Sequence, residues 1–375
     1  MSLAYITIDI PALRHNFQRV KTLTAGRFVL AMLKANAYGH SIEHIAKALP
    51  EADAFGVASL AEGLQIRSAF VKQPVVLMQG VLDQDELDQA ILHNFDLVIH
   101  QAFQIEMLQR RPEINSLSVW LKINTGMNRL GFEPEEAVHR YQALQNCSIV
   151  KKPIGLMTHL AQADNLNSPA TVKQLQLFQT LTKNLAGPCS IANSAGILGW
   201  QEAHADWVRP GVILYGVSPF AGTSGMNYDL WPVMTLSTHL IAIQQLRKGE
   251  QVGYGGTWTA PTDMLIGVAG LGYADGYPQF AKTGTPVLVQ GTRCPLVGRV
   301  SMDMITIDLR DHPHPKIGGT VTLWGTKLPI ETVSQHCDTS PYELLCRVTT
   351  RARLKTISFA DQAVKGSETL PLASL

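Results

Sequence analysis

Lys34 stands where an apolar run stops. Phe28–Leu33 reads as a short buried strand, and the Asn, Gly and His that follow in Ala35-Asn-Ala-Tyr-Gly-His40 are turn chemistry. A lysine at that point aims its amine into the mouth of a parallel β/α structure, where partial burial lowers its pKa and makes it a nucleophile or base. Further along come Lys122, leading into Asn124-Thr-Gly-Met-Asn-Arg129-Leu-Gly131, then His159, Asn193-Ser194-Ala-Gly196 and Arg209-Pro-Gly211. Taken singly, each has an ordinary explanation: a surface lysine, a hydrogen-bonded core histidine, a capping serine, an arginine in an ion pair. Together they put a lysine, an arginine, a histidine and a small-residue helix start on one rim. The turn at Ser194 and the backbone at Gly211 offer N–H groups suited to a phosphate. That donor set matches a phosphorylated aldehyde held through a lysine Schiff base, which is pyridoxal phosphate. A metal fits less well, because no H-E-x-x-H or paired Cys/His spacing occurs. A dinucleotide also fits less well, because no G-x-G-x-x-G follows the first strand.

Those residues need a scaffold that lines them up at strand ends. Short apolar runs alternate with helical patterns from residue 28 to about 215, the signature of parallel β/α units. The candidate strands are Phe28–Leu33, Ala54–Ala58, Val75–Gln79, Leu97–Ile99, Val119–Ile123, Ile154–His159, Ser190–Ala192 and Val212–Tyr215. Eight is the number that closes a (β/α)8 barrel, whose chemistry sits at the carboxyl ends of its strands. Between them, Ser41–Leu49, Asp85–Leu92, Glu135–Leu144 and Thr171–Leu185 read as helices. Pro219 to Pro232 reads as a linker. Beyond it, β-branched runs separated by Gly and Pro predict a mainly antiparallel β domain: Thr235–Ile243, Leu265–Ala269, Pro286–Val289, Ile305–Leu309 and Thr320–Leu323. The expected division is a barrel over residues 9–229 and a β-rich domain over 230–360. Residues 1–8 are read as pairing with the second domain, and 361–375 as a frayed tail.

Composition narrows the class. The chain of 375 residues is 46% apolar and 16% charged, enough for more than one globular core. A formal net charge of +1 gives no electrostatic case for nucleic acid or an anionic membrane. No stretch of about 18 uncharged apolar residues predicts a membrane span, and the first residues do not read as a signal peptide. Five cysteines without C-x-x-C spacing read as reduced packing residues, which predicts a cytoplasmic protein.

Over about residues 4 to 355 the chain resembles the alanine racemases, and nine blocks in the family's order carry the likeness. In the first domain they are Lys34-Ala-Asn-Ala-Tyr-Gly-His40, Lys122-Ile-Asn-Thr-Gly-Met-Asn-Arg-Leu-Gly131, Thr158-His159, Ala192-Asn-Ser194 and Val208-Arg-Pro-Gly211. In the second they are Val252-Gly-Tyr-Gly-Gly-Thr257, Gly272-Tyr-Ala-Asp-Gly-Tyr277, Gly298-Arg-Val-Ser-Met-Asp303 and Pro341-Tyr-Glu343. The resemblance implies that Lys34 holds pyridoxal 5′-phosphate covalently, with Tyr38, Ser194, Gly211, Val212 and Tyr342 at the phosphate. It implies that Arg209 faces the pyridine nitrogen with His159 beside it, and that Arg129 and Met302 serve the substrate. Tyr254 is implied as the second acid/base, entering with Met302 from the other subunit of a homodimer. Tyr273, Arg299 and Tyr342 would shape the entrance. Lys122 is implied to be carbamylated and to orient Arg129; a cation that snorkels to water is the alternative.

The implied chemistry asks for these residue types. Inverting a Cα centre needs a proton taken from one side and another returned on the opposite side, so two acid/base groups must flank the cofactor. Two positions depart from the family's pattern. Asn124 replaces a common Asp, which is expected to alter the hydrogen bonds around Lys122. Gln279 replaces an entrance arginine, which is expected to widen or neutralise the substrate corridor. A broad-specificity racemase, a non-catalytic cofactor carrier built on the barrel alone and a decarboxylase of related fold stay open as other readings.

Overall fold

The computed structural model describes residues 3–358; the expected tail, 361–375, lies outside the described residues. The chain starts with β1 (Tyr5–Asp9) and the helix Ile10–Leu23. Eight parallel strands then close a barrel: β2 (Phe28–Met32), β3 (Ala54–Val57), β4 (Val75–Leu77), β5 (Phe95–Ile99), β6 (Val119–Lys122), β7 (Gly155–Met157), β8 (Cys189–Ser190) and β9 (Trp207–Val208). Both faces of these strands are covered, so they read as unbroken apolar runs rather than alternating ones. Helices between them begin on legible caps. Asp83 accepts from the Glu86 N–H at 2.8 Å, and Ser168 accepts from Ala170 N–H ahead of a helix with Pro169 in its first turn.

The eighth strand is a correction. Val212–Tyr215 is a buried 3-10 turn, and β9 is Trp207–Val208. An apolar run bounded by turn residues is buried in either conformation, and its pattern does not tell the two apart. Arg209 therefore follows the last strand instead of preceding it, on the same end as Lys34.

Aromatic rings cluster at the start of the barrel. Trp120 and Trp207 meet edge to face at 5.8 Å, and Phe28 stacks on Trp207 at 5.0 Å. Gly155, opposite Trp120 in the register, makes room for the indole: a Cβ there would lie 2.4 Å from Trp120 Cδ2. Gly155→Ala is expected to destabilise the protein by about 1–3 kcal/mol through overpacking, read as a lower urea midpoint.

The chain divides into two compact units. One is Phe17–Leu214 with Pro219–Ala221, which contains the barrel. The other gathers the described residues up to Asn16, Tyr215–Ser218 and the described residues from Gly222 onward. The stretch read as a linker is thus shared out between the two, with Gly225–Tyr228 forming a 3-10 turn. In the second unit the strands are β10 (Met234–Leu246), β11 (Gln251–Val252), β12 (Trp258–Thr259), β13 (Met264–Ala269), β14 (Pro286–Val289), β15 (Thr292–Pro295), β16 (Ile305–Asp308), β17 (Thr320–Trp324) and β18 (Arg353–Ile357). The main sheet runs β15-β14-β17-β10-β1-β18. β1 pairs antiparallel with β10 and parallel with β18, and the other pairings are antiparallel. Two helices, Ile330–His336 and Pro341–Arg347, are additions to the sequence reading.

Cys147, Cys189, Cys294 and Cys337 are free, and Cys147, Cys294 and Cys337 are buried. Cys346 is exposed, so packing does not explain it. Among the described residues no helix is long and apolar enough to cross a membrane.

Candidate active site

β2 ends at Met32, two residues before Lys34, which opens a single turn over Lys34–Tyr38. Ala35, Asn36, Ala37 and Tyr38 all have φ between 52° and 55°, so the turn winds left-handed. Each such residue costs about 1–2 kcal/mol, and the surroundings offset that cost with hydrogen bonds. Glu62 accepts from Ala35 N–H through Oε1 at 2.7 Å and from Ala58 N–H through Oε2 at 2.8 Å. The Asn36 side chain accepts from Ile42 N–H at 2.9 Å. Glu62 was not singled out from the sequence, although Ser59-Leu-Ala-Glu62 is a legible capping-box spacing.

The predicted phosphate residues of the barrel converge. The Gly211 N–H donates to Ser194 Oγ at 2.9 Å. A Cβ on Gly211 would come within 2.4 Å of Tyr38 Oη, so only glycine lets that hydroxyl approach. Val212 is buried beside them in sequence.

Arg209 is 3% exposed and well held. Its Nη1 donates to Ser190 Oγ at 2.6 Å, and its Nη2 donates to the carbonyls of Thr158 and Ile191. Burial brings its pKa down to about 10, so it stays protonated at neutral pH. Its Nε makes no hydrogen bond with any described residue. That leaves the Nε–H and one Nη1–H available to a ligand.

His159 Nδ1 lies 3.5 Å from Arg209 Nη2. Burial first, then the charges of Arg209, Lys122, Arg129 and Lys34, hold its pKa well below the ordinary value. The ring is neutral; with Nδ1 facing a donor, its proton sits on Nε2. Gln174 steadies this stretch by donating to the His159 carbonyl at 3.0 Å and to Thr125 Oγ1 at 3.2 Å.

Lys122 is 7% exposed, at the end of β6. Burial, then Arg209, Arg129 and Lys34, lower its pKa to about 8. Arg129 sits on the following loop, which Asn124 knits together. Asn124 Nδ2 donates to Asn128 Oδ1 and Glu133 Oε1, and its Oδ1 accepts from the Gly126 and Asn128 N–H groups. None of these bonds involves Lys122. An amide is needed here, because a carboxylate could not donate to Glu133.

Only burial and positive neighbours shift Lys122 and His159; no acid contributes. Such a pocket fits an anionic phosphate and a substrate carboxylate.

The remaining predicted residues belong to the other unit. Tyr254 is 73% exposed on the turn joining β11 to β12, and Met302 is 53% exposed. Arg299 Nη1 lies 3.7 Å from the place a Cβ on Gly255 would take, next to Tyr254. The Tyr273 N–H donates to the Ser301 carbonyl and Ala274 N–H to that of Met302, which joins the Tyr273 and Met302 loops. Arg351 pairs with Asp275 at 3.4 Å and Asp303 at 2.6 Å across the same two loops. Tyr342 lies on the helix Pro341–Arg347, and Gln279 is exposed.

Residues 8–219 match the family model described as alanine racemase, N-terminal domain, and residues 233–356 match that of the C-terminal domain. An alanine racemase of Coxiella burnetii (strain CbuG_Q212) is 47% identical over 362 residues, covering 94% of this chain and 98% of that one. The crystal structure of the biosynthetic alanine racemase from Pseudomonas aeruginosa superposes with a TM-score of 0.92 at 40% identity, covering 96% of this chain and all of that one. A structure of alanine racemase from Bartonella henselae, described with covalently bound pyridoxal phosphate, has a TM-score of 0.85 at 27% identity, covering 95% of this chain and 100% of that one.

Proposed function

The chain belongs to the alanine racemase family, and from that premise we propose that Lys34 and Tyr254 are the two acid/base groups that exchange the α-proton of alanine. The enzyme interconverts L- and D-alanine with pyridoxal 5′-phosphate, and D-alanine supply to peptidoglycan is the family's general role. A carrier built on the barrel alone is set aside by the match over residues 233–356.

When bound, the cofactor supplies an electron-withdrawing ring that acidifies the α C–H bond of the amino acid. Lys34 Nζ takes or returns the proton on one side, and Oη of Tyr254 of the partner subunit serves the other. Two groups are needed, because a proton returned to the side it left regenerates the starting enantiomer. Neutral His159 offers its Nε2–H to the phenol oxygen and stabilises it as an anion. Tyr38, Ser194, Gly211, Val212 and Tyr342 hold the phosphate, Arg129 and Met302 serve the substrate, and Tyr273 and Arg299 line the entrance. Arg209 keeps its proton at neutral pH and gives the ring nitrogen a hydrogen bond rather than a charge. By keeping its own proton, Arg209 would thereby favour return of the proton at Cα, and so racemisation over transamination.

Lys122 is carbamylated in this reading. The reaction joins the neutral amine to carbon dioxide and releases one proton. A pKa near 8 supplies the neutral amine, and three surrounding cations welcome the anion that results. The carbamate then orients Arg129 by a charge-assisted hydrogen bond. The exposure of Tyr254 and Met302 on a single chain supports a homodimer with shared sites, and the free cysteines support a cytoplasmic setting.

The convergence of Tyr38, Ser194 and Gly211 at the barrel end that carries Lys34 is the observation behind this reading. Borohydride reduction of the holoenzyme followed by peptide mapping tests it. The modified residue is expected to be Lys34; label on any other lysine would overturn the assignment.

A further inference from the structure

The barrel holds a buried imidazole, His100, that the proposed chemistry does not use. His100 follows β5, and Lys122 ends β6. Ile99 is level with Leu121 in the parallel register, which sets His100 level with Lys122 on the next strand. Two residues earlier, Val98 is level with Trp120, whose ring crosses the barrel interior to Trp207. The two-residue period of a strand carries that inward sense on to both His100 and Lys122.

His100 is only 7% exposed. Its Nε2 lies 2.9 Å from the Gln79 carbonyl, which can only accept, so Nε2 carries the proton. Burial, with a smaller contribution from Lys122, pushes the ring's pKa down and keeps it neutral. Nδ1 is therefore an acceptor, and it is buried without any partner. The Lys122 amine in turn makes no hydrogen bond or ion pair with a described residue. A bare acceptor and an undirected donor occupy level positions on adjacent strands.

We propose that His100 is a positioning residue for Lys122, its Nδ1 accepting the single N–H that Nζ keeps after carbamylation. The inference rests on the carbamate reading of Lys122. A carbamate is planar and has one hydrogen on nitrogen. Holding that hydrogen toward the imidazole turns the carboxylate away from the ring's lone pair, toward the cations around it.

Carbon-13 NMR of the holoenzyme, titrated with ¹³C-bicarbonate, tests this. The parent is expected to show a carbamate resonance that Lys122→Arg lacks. His100→Leu is expected to raise the bicarbonate needed for half-occupancy about tenfold, the scale of one hydrogen bond to a charged group. Racemisation by this variant should recover as bicarbonate rises. His100→Asn, whose amide oxygen replaces Nδ1, should stay within about threefold of the parent on the same scale. If His100→Leu does not fold, His100→Gln keeps a donor for Gln79 without an acceptor at Nδ1 and should show the same rise. A midpoint equal to the parent's in the acceptor-lacking variant, or an equal shift in His100→Asn, overturns the role of His100 alone. A parent with no carbamate resonance overturns the reading of Lys122 and this inference with it.

Discussion

Tyr254→Phe is expected to lower kcat for alanine racemisation by at least about 100-fold, since a positioned acid/base group contributes roughly 10²–10⁴-fold. Cofactor content should stay at the parental level. The ring is 73% exposed on its own chain, and the substitution removes only the hydroxyl, so the fold has little reason to change. The loss should be one-sided. In deuterated solvent, the α-hydrogen of one enantiomer should still exchange through Lys34, while that of the other should not. Interconversion at the parental rate would end the scheme of two opposed acid/base groups.

Lys34→Ala should cost more, about 10⁴-fold or beyond, because one side chain supplies both the covalent attachment and a proton-transfer group. Small alkylamines added to the variant should restore part of the rate, whereas tertiary amines, which cannot form the linkage, should not. A second consequence is electrostatic. Lys34 is among the cations that depress Lys122, so the Lys122 amine should hold its proton to a higher pH in the variant. A variant that keeps its visible absorbance and its rate would show that the cofactor is held elsewhere.

Placement was more legible in this sequence than conformation. Lys34, Lys122 and His159 could be placed because a barrel puts strand ends on one rim, and a lysine or histidine closing an apolar run stands out. Trp207–Val208 could not, because two residues carry no periodicity while the apolar Val212–Tyr215 nearby does. The left-handed turn at Ala35–Tyr38 was equally hidden. Alanine and tyrosine carry no signal for positive φ, and the cause lies in Glu62 and Asn36, which matter only once the chain has folded. Ser340-Pro341-Tyr-Glu343 was readable as a helix start, with a cap, a proline in the first turn and a glutamate behind it. His100 closes an apolar run as His159 does, but it escaped because none of the nine family blocks includes it; its interest lies in which neighbour stands level with it.

The seating of β1 between β10 and β18 has a consequence for how the molecule is made. Tyr5 aligns with Ser237 on one side and Arg353 on the other. At translation speeds of about 5–20 residues per second, the opening strand waits roughly 20–70 s for its last neighbour. Until β10 is made neither edge has a native strand to bond, while a whole barrel is synthesised behind it, and until β18 is made one edge stays open. β1 thus keeps an open edge for most of the protein's birth, and a nascent chain halted anywhere before Arg353 has yet to cover it.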